Sequence, residues 1–440
     1  MFRSLHERDY RLWASGAIVS NVGTWMQRTA QDWIVLTVLT KHDAFAVGVT
    51  MALQFGPQLL LLPITGLVAD RVQKRTLLMI TQAVMGLLAF GIGVLAVLNL
   101  LTLPEVFGFA FLLGCAAAFD APARQSFVSE LVGPDDVTNA VALNSASFNA
   151  ARLIGPAVAG LLTEVVGPGW VFLINAVSFA GVLVSLRFIT PAAAEAGAAA
   201  GRGAKDFAAG FAYVAKRRDL IVLFSMIFLM GTFGMNFPIY ASTMAVLFHE
   251  GATGYGLLST SLAIGAVAGA LLAARRTEPR FALTIVAGVL FGVGLLLGAA
   301  APNFLVLAIV LPLVGVASQT FMTTANGTVQ LSVERWVRGR VMAIYMAIFL
   351  GGTVIGAPVI GWITNVAGPR AGLTTGAAAG LLAAAVGTAW LSYSRRRLPV
   401  CPDPGPPTTG AQGHGSEMQA EAPELGVQKE TDLSPARGGE

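Results

Sequence analysis

The chain has 440 residues, of which 55% are hydrophobic and 12% are charged, and it carries a formal net charge of +4. Soluble globular proteins carry about twice that charged fraction, so the composition excludes an ordinary water-soluble protein. Apolar runs of about twenty residues, the length that crosses a hydrocarbon core of about 30 Å, recur along the chain and predict an all-α membrane protein.

Twelve apolar stretches are long enough to be membrane-spanning helices. The first six are predicted at about 12–39, 45–69, 77–98, 106–123, 137–166 and 170–189. The second six are predicted at about 220–240, 255–274, 281–300, 304–324, 341–366 and 373–393. These stretches are numbered as spans one to twelve in chain order.

The segments around the spans divide the chain into four predicted parts. These are an N-terminal six-helix half at 1–190, a cytoplasmic central loop at 191–218, a C-terminal six-helix half at 219–397 and a tail at 398–440. Residues 205–218 of the loop have the pattern of a short amphipathic helix. The tail contains seven prolines and few large apolar residues, which predicts a disordered cytoplasmic segment.

Lysine and arginine are concentrated in alternate loops. One set of loops, together with both ends of the twelve-span region, holds nearly all of them, whereas the other set holds only Lys41 and Arg370. Because short basic loops remain in the cytoplasm, both termini are predicted to be cytoplasmic. The predicted location is the cell (cytoplasmic or inner) membrane, with multiple spans.

A fourteen-residue segment occurs once in each half. Residues 155–168 and 356–369 are identical at seven positions after a shift of 201 residues, including a final Gly-Pro pair. Both copies fall in the fifth span of their half and in the turn that follows it. Two related halves of six helices are therefore predicted, an arrangement found in several transporter folds.

Further segments resemble the major facilitator superfamily of transporters, and the resemblance extends as far as Arg397. Residues 66–75 are similar to the superfamily's loop signature, except that Gln73 replaces the usual glycine. Residues 155–160 resemble the span-five motif of its antiporters. Residues 11–27 and 119–132 are similar to bacterial exporters of the enterobactin-exporter and macrolide-efflux type.

The resemblance implies the major facilitator fold, with twelve transmembrane helices in two pseudo-symmetric halves. It also implies a charge network at the cytoplasmic face that holds the outward-facing state and breaks as the halves rock. The residues that it assigns to this conformational gating are Gly66, Asp70, Arg71, Arg75, Asp120 and Arg124. Ordinary solvation of these charges by water and lipid headgroups is the alternative interpretation.

Small residues and prolines in the repeated segment predict close helix packing and kinks. The positions in this group are Gly155, Pro156, Gly160, Gly356, Pro358 and Gly361. The resemblance adds that the Gly-Pro site in span five limits proton leakage in exporters.

Span one carries two charges on a polar helical face formed by Asn21, Thr24, Arg28, Gln31 and Asp32. An ionised side chain in the middle of a bilayer costs about 3 kcal/mol on insertion scales. Arg28 and Asp32 are one turn apart and are predicted to offset part of that cost by pairing. We predict that Asp32 takes up and releases a proton, with Arg28 as its charged neighbour. A structural ion pair is the alternative.

Other polar residues of the spans are candidates for a cargo cavity. They are Asn149 and Arg152 in span five, and Asn236, Tyr240, Gln319, Thr323, Asn326 and Tyr345 in the second half. Arg152 has the alternative role of an anchor near the cytoplasm. Because no charged residue lies at the core of a second-half span, an amphipathic or largely apolar cargo is expected.

The sequence signals of other functional classes are missing. No Gly-Lys dipeptide is present for a Walker-type ATP site, and the four histidines lie outside the predicted spans. No enzyme activity, metal or other cofactor is therefore expected. Because positive-inside topology already explains the basic loops, no nucleic-acid partner is expected either.

These observations predict a secondary active transporter that acts as a proton-coupled exporter by alternating access. Its predicted partners are an amphipathic small molecule of the drug or siderophore type, protons and the lipid bilayer, and it is predicted to function as a monomer. Two alternatives stay open. One is an importer or facilitator of a small solute, and the other is a non-transporting membrane scaffold or sensor on the same fold.

Overall fold

The computed structural model describes residues 3–189, 204–276 and 280–397, except for the side chains at 63, 67, 69, 70, 204–208 and 395–397. The described residues form helices and no strands, which confirms the all-α prediction. Met1–Arg395 forms one compact unit, and Arg396–Glu440 is a second unit of which only the end of the last helix is described. The predicted tail and residues 191–203 of the predicted central loop lie outside the described residues.

Six long helices make up the first half of the described chain. They are α1 (Arg8–Ile34), α2 (Ala44–Arg71), α3 (Lys74–Val97), α4 (Leu103–Glu130), α5 (Val137–Val166) and α6 (Pro168–Phe188). A π-helical turn, Val35–Leu39, extends α1. Asp43 caps α2 by accepting hydrogen bonds from the amides of Phe45 and Ala46. Such caps satisfy the free amides of a first helical turn and therefore define where the helix begins.

A short helix, α7 (Ala204–Lys216), lies in the predicted central loop and precedes the second half. The seventh predicted span consists of α8 (Arg218–Leu229), a π-helical turn at Met230–Gly234 and α9 (Phe237–Leu247). It is followed by α10 (Ala252–Ala274), α11 (Phe281–Ala299), α12 (Phe304–Ser332), α13 (Arg338–Ala367) and α14 (Pro369–Arg397).

The repeated segments end their helices in the same way. Gly167 follows α5 and Gly368 follows α13, and each has φ of 90°. Residues with a side chain rarely adopt this backbone conformation, whereas glycine adopts it at little cost. The two glycines therefore end equivalent helices at equivalent positions. The next helix begins immediately with a proline in both halves.

Ten segments of the described chain are long and apolar enough to cross a membrane. Helices α1 and α5 have 27 and 30 residues and are not among the ten. Both have the length to cross but carry polar side chains along their interiors, including Arg28, Asp32 and Arg152. The membrane fold is confirmed, and the count of twelve spans stays a prediction.

The loops of the bundle lie at two ends because successive helices run in opposite directions. We call the end with the loops at 72–73, 131–136 and 333–337 and with residues 275–276 and 280 the basic end, and the other the opposite end. The halves meet through α2 against α13 and α5 against α10. Among the described residues, every hydrogen bond between the halves lies between the opposite end and the centre of the bundle. The halves are therefore joined at the opposite end.

Candidate functional site: a charged cavity between the halves

A cavity of about 460 Å³ lies between the two halves. This volume falls in the range of small-molecule binding sites. Its charged lining residues are Arg28, Asp32 and Arg152, all from the first half. Seven aromatic side chains also line it: Trp25, Phe55, Phe148, Phe237, Tyr240, Tyr255 and Phe349.

The carboxylate of Asp32 contacts the other half of the protein. Asp32 is 7% exposed, and its Oδ2 accepts a hydrogen bond of 3.1 Å from the hydroxyl of Tyr255 on α10. The Tyr255 ring also stacks on Trp33 of α1, with the ring centres 6.0 Å apart. A group that can gain and lose a proton is therefore linked directly to the relative position of α1 and α10.

The ion pair predicted between Arg28 and Asp32 is not formed in this structure. The Arg28 guanidinium instead lies over Trp25 and Phe55, with its Cζ 5.2 and 5.5 Å from the two ring centres. The spacing of one turn puts both residues on one helical face, but contacts with other helices orient the side chains. Aromatic rings hold the guanidinium, and Tyr255 holds the carboxylate.

Trp25 also contacts a second guanidinium. The Cζ of Arg152 on α5 lies 5.7 Å from the centre of the Trp25 ring. Neither Arg152 nor Arg28 forms a hydrogen bond or ion pair with a described residue, and Nε of Arg28 is buried without a partner. A cation–π contact contributes about 0.5–2 kcal/mol, whereas removing an ion from water costs several kcal/mol. The two positive charges are therefore only partly compensated.

The second half contributes an uncharged wall to the cavity. Its polar lining side chains are Tyr240, Tyr255, Ser259, Ser318, Gln319 and Thr353. Three methionines, Met235, Met244 and Met322, also line this wall. Methionine side chains are flexible and adapt to apolar surfaces of different shapes. Among the described residues, no group of His, Cys, Asp or Glu side chains could hold a metal ion.

The structure brings some of the predicted coupling and cavity residues together and separates others. Arg28, Asp32, Arg152, Tyr240 and Gln319 line the cavity. Outside this lining lie Asn21, Thr24, Gln31, Asn149, Asn236, Thr323, Asn326 and Tyr345.

Local hydrogen bonds explain part of this separation. The amide group of Asn149 donates to the carbonyl of Ser145, and that of Asn236 donates to the carbonyl of Thr232. A polar side chain that bonds to a carbonyl one turn back on its own chain is already satisfied without facing a cavity.

Asp120 and Arg124 form a buried ion pair on α4, with Nη2 of Arg124 3.1 Å from Oδ2 of Asp120. Oδ1 of Asp120 accepts hydrogen bonds of 2.9 and 2.7 Å from Thr81 and Gln82 of α3. Arg124 also donates to Asn21 of α1 at 3.3 Å. This cluster therefore connects three helices of the first half.

The other predicted gating residues lie near the loop after α2. Arg75 donates to the carbonyls of Leu186 and Arg187 at 2.7 and 3.1 Å, which connects α3 to the end of α6. Gly66 and Arg71 are exposed. The side chain of Asp70 lies outside what the structure describes. In this structure the described gating contacts stay within the first half.

All four glycines predicted for helix packing lie at close contacts between helices. A β-carbon on Gly155 would lie 2.5 Å from Cβ of Trp25, and one on Gly160 would lie 2.7 Å from the carbonyl oxygen of Ala252. Added β-carbons on Gly356 and Gly361 would collide with backbone carbonyl groups of the facing segments. Pro156 and Pro358 lie inside α5 and α13, and Pro156 lines the cavity.

Sequence reasoning assigned no role to Tyr255 or Trp25. Tyr255 is 223 positions away from Asp32, and its place near the start of an apolar helix gives no sign of a polar partner. The sequence does indicate a role for Trp25, because it precedes Arg28 by three residues and therefore lies on the same helical face. A large aromatic beside a charge in a spanning helix is a potential cation–π partner.

Comparison with known proteins gives a family and a fold. The sequence family described as transmembrane secretion effector matches residues 2–398. The staphyloferrin A transporter of Staphylococcus aureus (strain NCTC 8325 / PS 47) is 27% identical over 349 residues, which cover 76% of this chain and 84% of that relative.

Two solved structures have a similar fold. The nucleoside transporter NupG has a TM-score of 0.69 at 14% identity, covering 88% of this chain and 100% of that one. A bacterial homolog of the human lysosomal transporter Spinster, solved in an inward-facing and unoccupied conformation, has a TM-score of 0.67 at 13% identity. It covers 89% of this chain and 98% of that one.

Proposed function

The chain is a membrane transporter that belongs to the transmembrane secretion effector family of the major facilitator superfamily, and from this premise we propose that it is a proton-coupled exporter of amphipathic small molecules. Asp32 carries the proton, the central cavity binds the cargo, and the two six-helix halves move by alternating access. The observation that carries the proposal is the hydrogen bond from Tyr255 to Asp32, which joins a titratable group to both halves.

Proton coupling requires a group that alternates between charged and neutral. Arg28 and Arg152 remain protonated in proteins, so neither can be that group. Among the described residues, Asp32 is the only carboxylate in the cavity lining. A hydrogen bond to a carboxylate is stronger than one to the neutral acid. Proton binding at Asp32 and the relative position of the halves therefore influence one another.

The basic end faces the cytoplasm in this proposal, because basic loops are retained on that side. The joined, opposite end then faces outside, and the structure corresponds to a state that accepts cargo from the cytoplasm. Asp70, Arg71 and Arg75 are proposed to form the gating network with the Asp120–Arg124 pair when the basic end closes. The exposure of Arg71 in the present state supports this assignment.

The composition of the cavity supports an amphipathic cargo. Aromatic and methionine side chains supply apolar surface, whereas the charges are confined to α1 and α5. In this proposal the protein functions as a monomer, with one chain supplying the cargo cavity. The relative named as a staphyloferrin A transporter supports a cargo of the siderophore type, and the apolar wall also suits lipophilic drugs.

The proposal is tested with the full-length protein in liposomes that have an acidic lumen, using a panel of lipophilic drugs and siderophores. We expect the wild-type protein to accumulate a cargo in the lumen in exchange for protons. Asp32→Asn retains size and hydrogen bonding but removes titration. We expect this variant to fold and to bind cargo but to lose accumulation against a gradient, with downhill equilibration preserved.

Glu105→Gln is the matched control. Glu105 forms the capping box of α4 with Thr102, outside the cavity lining, and glutamine serves in the same type of box. This variant should accumulate cargo normally. A normal gradient with Asp32→Asn would exclude Asp32 as the coupling residue and make Asp120 the next candidate. Cargo that moves in the same direction as protons would instead identify an importer.

A further inference from the structure

We infer that the cargo is an amphipathic organic anion whose carboxylate, or comparable oxyanion head, binds to Arg28 and Arg152. The inference rests on the proposed function, because it names the chemical class of molecule that the transporter carries. It is drawn from the state of the two arginines in the cavity lining.

Both guanidiniums contact the same aromatic ring, and neither has a hydrogen-bond acceptor among the described residues. Each lies within 6 Å of the centre of the Trp25 ring, and neither has a hydrogen-bond or ion-pair partner among the described residues. Nε of Arg28 is buried without a partner. A guanidinium carries five N–H donors in a planar fork that matches a carboxylate. The lining therefore presents guanidinium donors that form no hydrogen bond with any described residue.

The charges of the lining are unequal. Among the described residues, two guanidiniums and the Asp32 carboxylate are the charged lining groups, and none of these comes from the second half. When Asp32 is ionised, the lining has an excess of one positive charge. A cargo with one negative charge makes the loaded cavity neutral while Asp32 stays ionised.

The apolar surfaces indicate where the rest of the cargo lies. Phe55 contacts Arg28, and Phe148 packs edge-on against Trp25 with the ring centres 5.9 Å apart. Across the cavity, Met235 and Met322 belong to the uncharged wall of the second half. The anionic head therefore binds at α1 and α5, and an apolar body extends toward the second half.

Three ligands with the same ring and different head charges test this assignment: 1-naphthoate, neutral 1-naphthamide and cationic 1-naphthylmethylamine. Their affinities are measured by calorimetry with purified full-length protein in detergent. We expect naphthoate to bind at least about tenfold more tightly than the amide, a difference of roughly 1.4 kcal/mol, and the amine to bind most weakly.

Arg28→Gln and Arg152→Gln are each expected to remove most of the preference for naphthoate. Arg280→Gln, a change to an exposed arginine at the basic end, is the control and should retain it. Asp32→Asn should retain or increase it, because that variant loses a negative charge near the anion.

Equal binding of the three ligands, or tightest binding of the amine, would overturn the inference. A preference for naphthoate that persists in both arginine variants would overturn it as well. Because the comparison of ligands uses the wild-type protein, a variant that misfolds does not remove the test. A protein that prefers naphthoate but builds no cargo gradient would contradict the proposed export and leave the anion site standing. Equal accumulation of neutral and anionic cargo would support the proposed export and contradict the anion site.

Discussion

A single indole ring contacts both guanidiniums of the cavity lining. Trp25 contacts the guanidiniums of α1 and α5, and it reaches α5 because Gly155 has no side chain at the crossing point. A larger residue at position 155 would separate the two helices and with them Arg28 and Arg152. A packing glycine and the charges of the cavity are therefore parts of the same arrangement.

Burial decides how much each ion pair contributes to stability. The Asp120–Arg124 pair is buried and its carboxylate accepts two further hydrogen bonds. Asp120→Asn removes the negative charge that pairs with the largely buried Arg124, which keeps its hydrogen bond to Asn21. We therefore expect the variant to lower the free energy of unfolding by about 3 kcal/mol. The measurement is reversible denaturation by SDS in mixed micelles.

Glu130→Gln is the comparison for that variant. Glu130 pairs with Lys74 at the basic end, and the side chains of Glu130 and Lys74 are 36% and 27% exposed. Loss of such a surface pair costs at most about 1 kcal/mol. Equal losses for Asp120→Asn and Glu130→Gln would show that burial does not separate the two pairs.

At the scale of helices, the two halves close the opposite end with contacts from equivalent positions. Asn365 of α13 accepts a hydrogen bond of 2.8 Å from the amide of Ala44, the first residue of α2. Glu164 of α5, which precedes Asn365 by the 201 residues of the repeat, accepts one of 3.5 Å from the amide of Thr253 in the first turn of α10. Each half therefore caps a helix of the other half.

A cap that joins the halves stabilises the closed opposite end. We expect Asn365→Ala to destabilise the closed opposite end by about 1 kcal/mol relative to the open one. This change raises the fraction of molecules whose opposite end is open roughly fivefold. The readout is labelling of Ser259→Cys, in the cavity, by a membrane-impermeant thiol reagent applied at the opposite end. In the protein used for labelling, serine replaces Cys115 and Cys401, so that only the introduced cysteine reacts.

The control for this variant is Asn303→Ala. Asn303 caps α12 within its own half at the same end, with a hydrogen bond of 3.0 Å from the amide of Val306. Its loss should cost similar helix stability without increasing the labelling. Equal labelling of the two alanine variants would contradict a role for Asn365 in closure.

For the whole molecule, the distribution of charge predicts the orientation in the membrane. Cysteines introduced at Lys41 and Arg370 should react with an impermeant reagent from outside the cell. Cysteines at Arg75 and Lys216 should react only after the cytoplasmic side is opened. The reason is that most Lys and Arg residues lie in loops of the basic end, which the bilayer retains in the cytoplasm. The reverse labelling pattern would refute the orientation.

The sequence by itself determined the class of protein and the family. Runs of apolar residues, a segment repeated after 201 positions and the motifs at 66–75 and 155–160 are all local patterns that can be read directly from the chain. The same holds for the helical face that contains Arg28 and Asp32, because a period of 3.6 residues depends only on the helix itself. The family match over residues 2–398 agrees with these patterns.

Tertiary structure decided which groups meet in the cavity. Arg28 stacks on aromatic rings instead of pairing with Asp32, Arg152 joins it on Trp25, and Tyr255 supplies the partner of Asp32 from 223 residues away. Such contacts depend on the rotation and axial shift of one helix relative to another. Those two quantities are set by packing of the whole bundle, and no periodicity within a single helix encodes them.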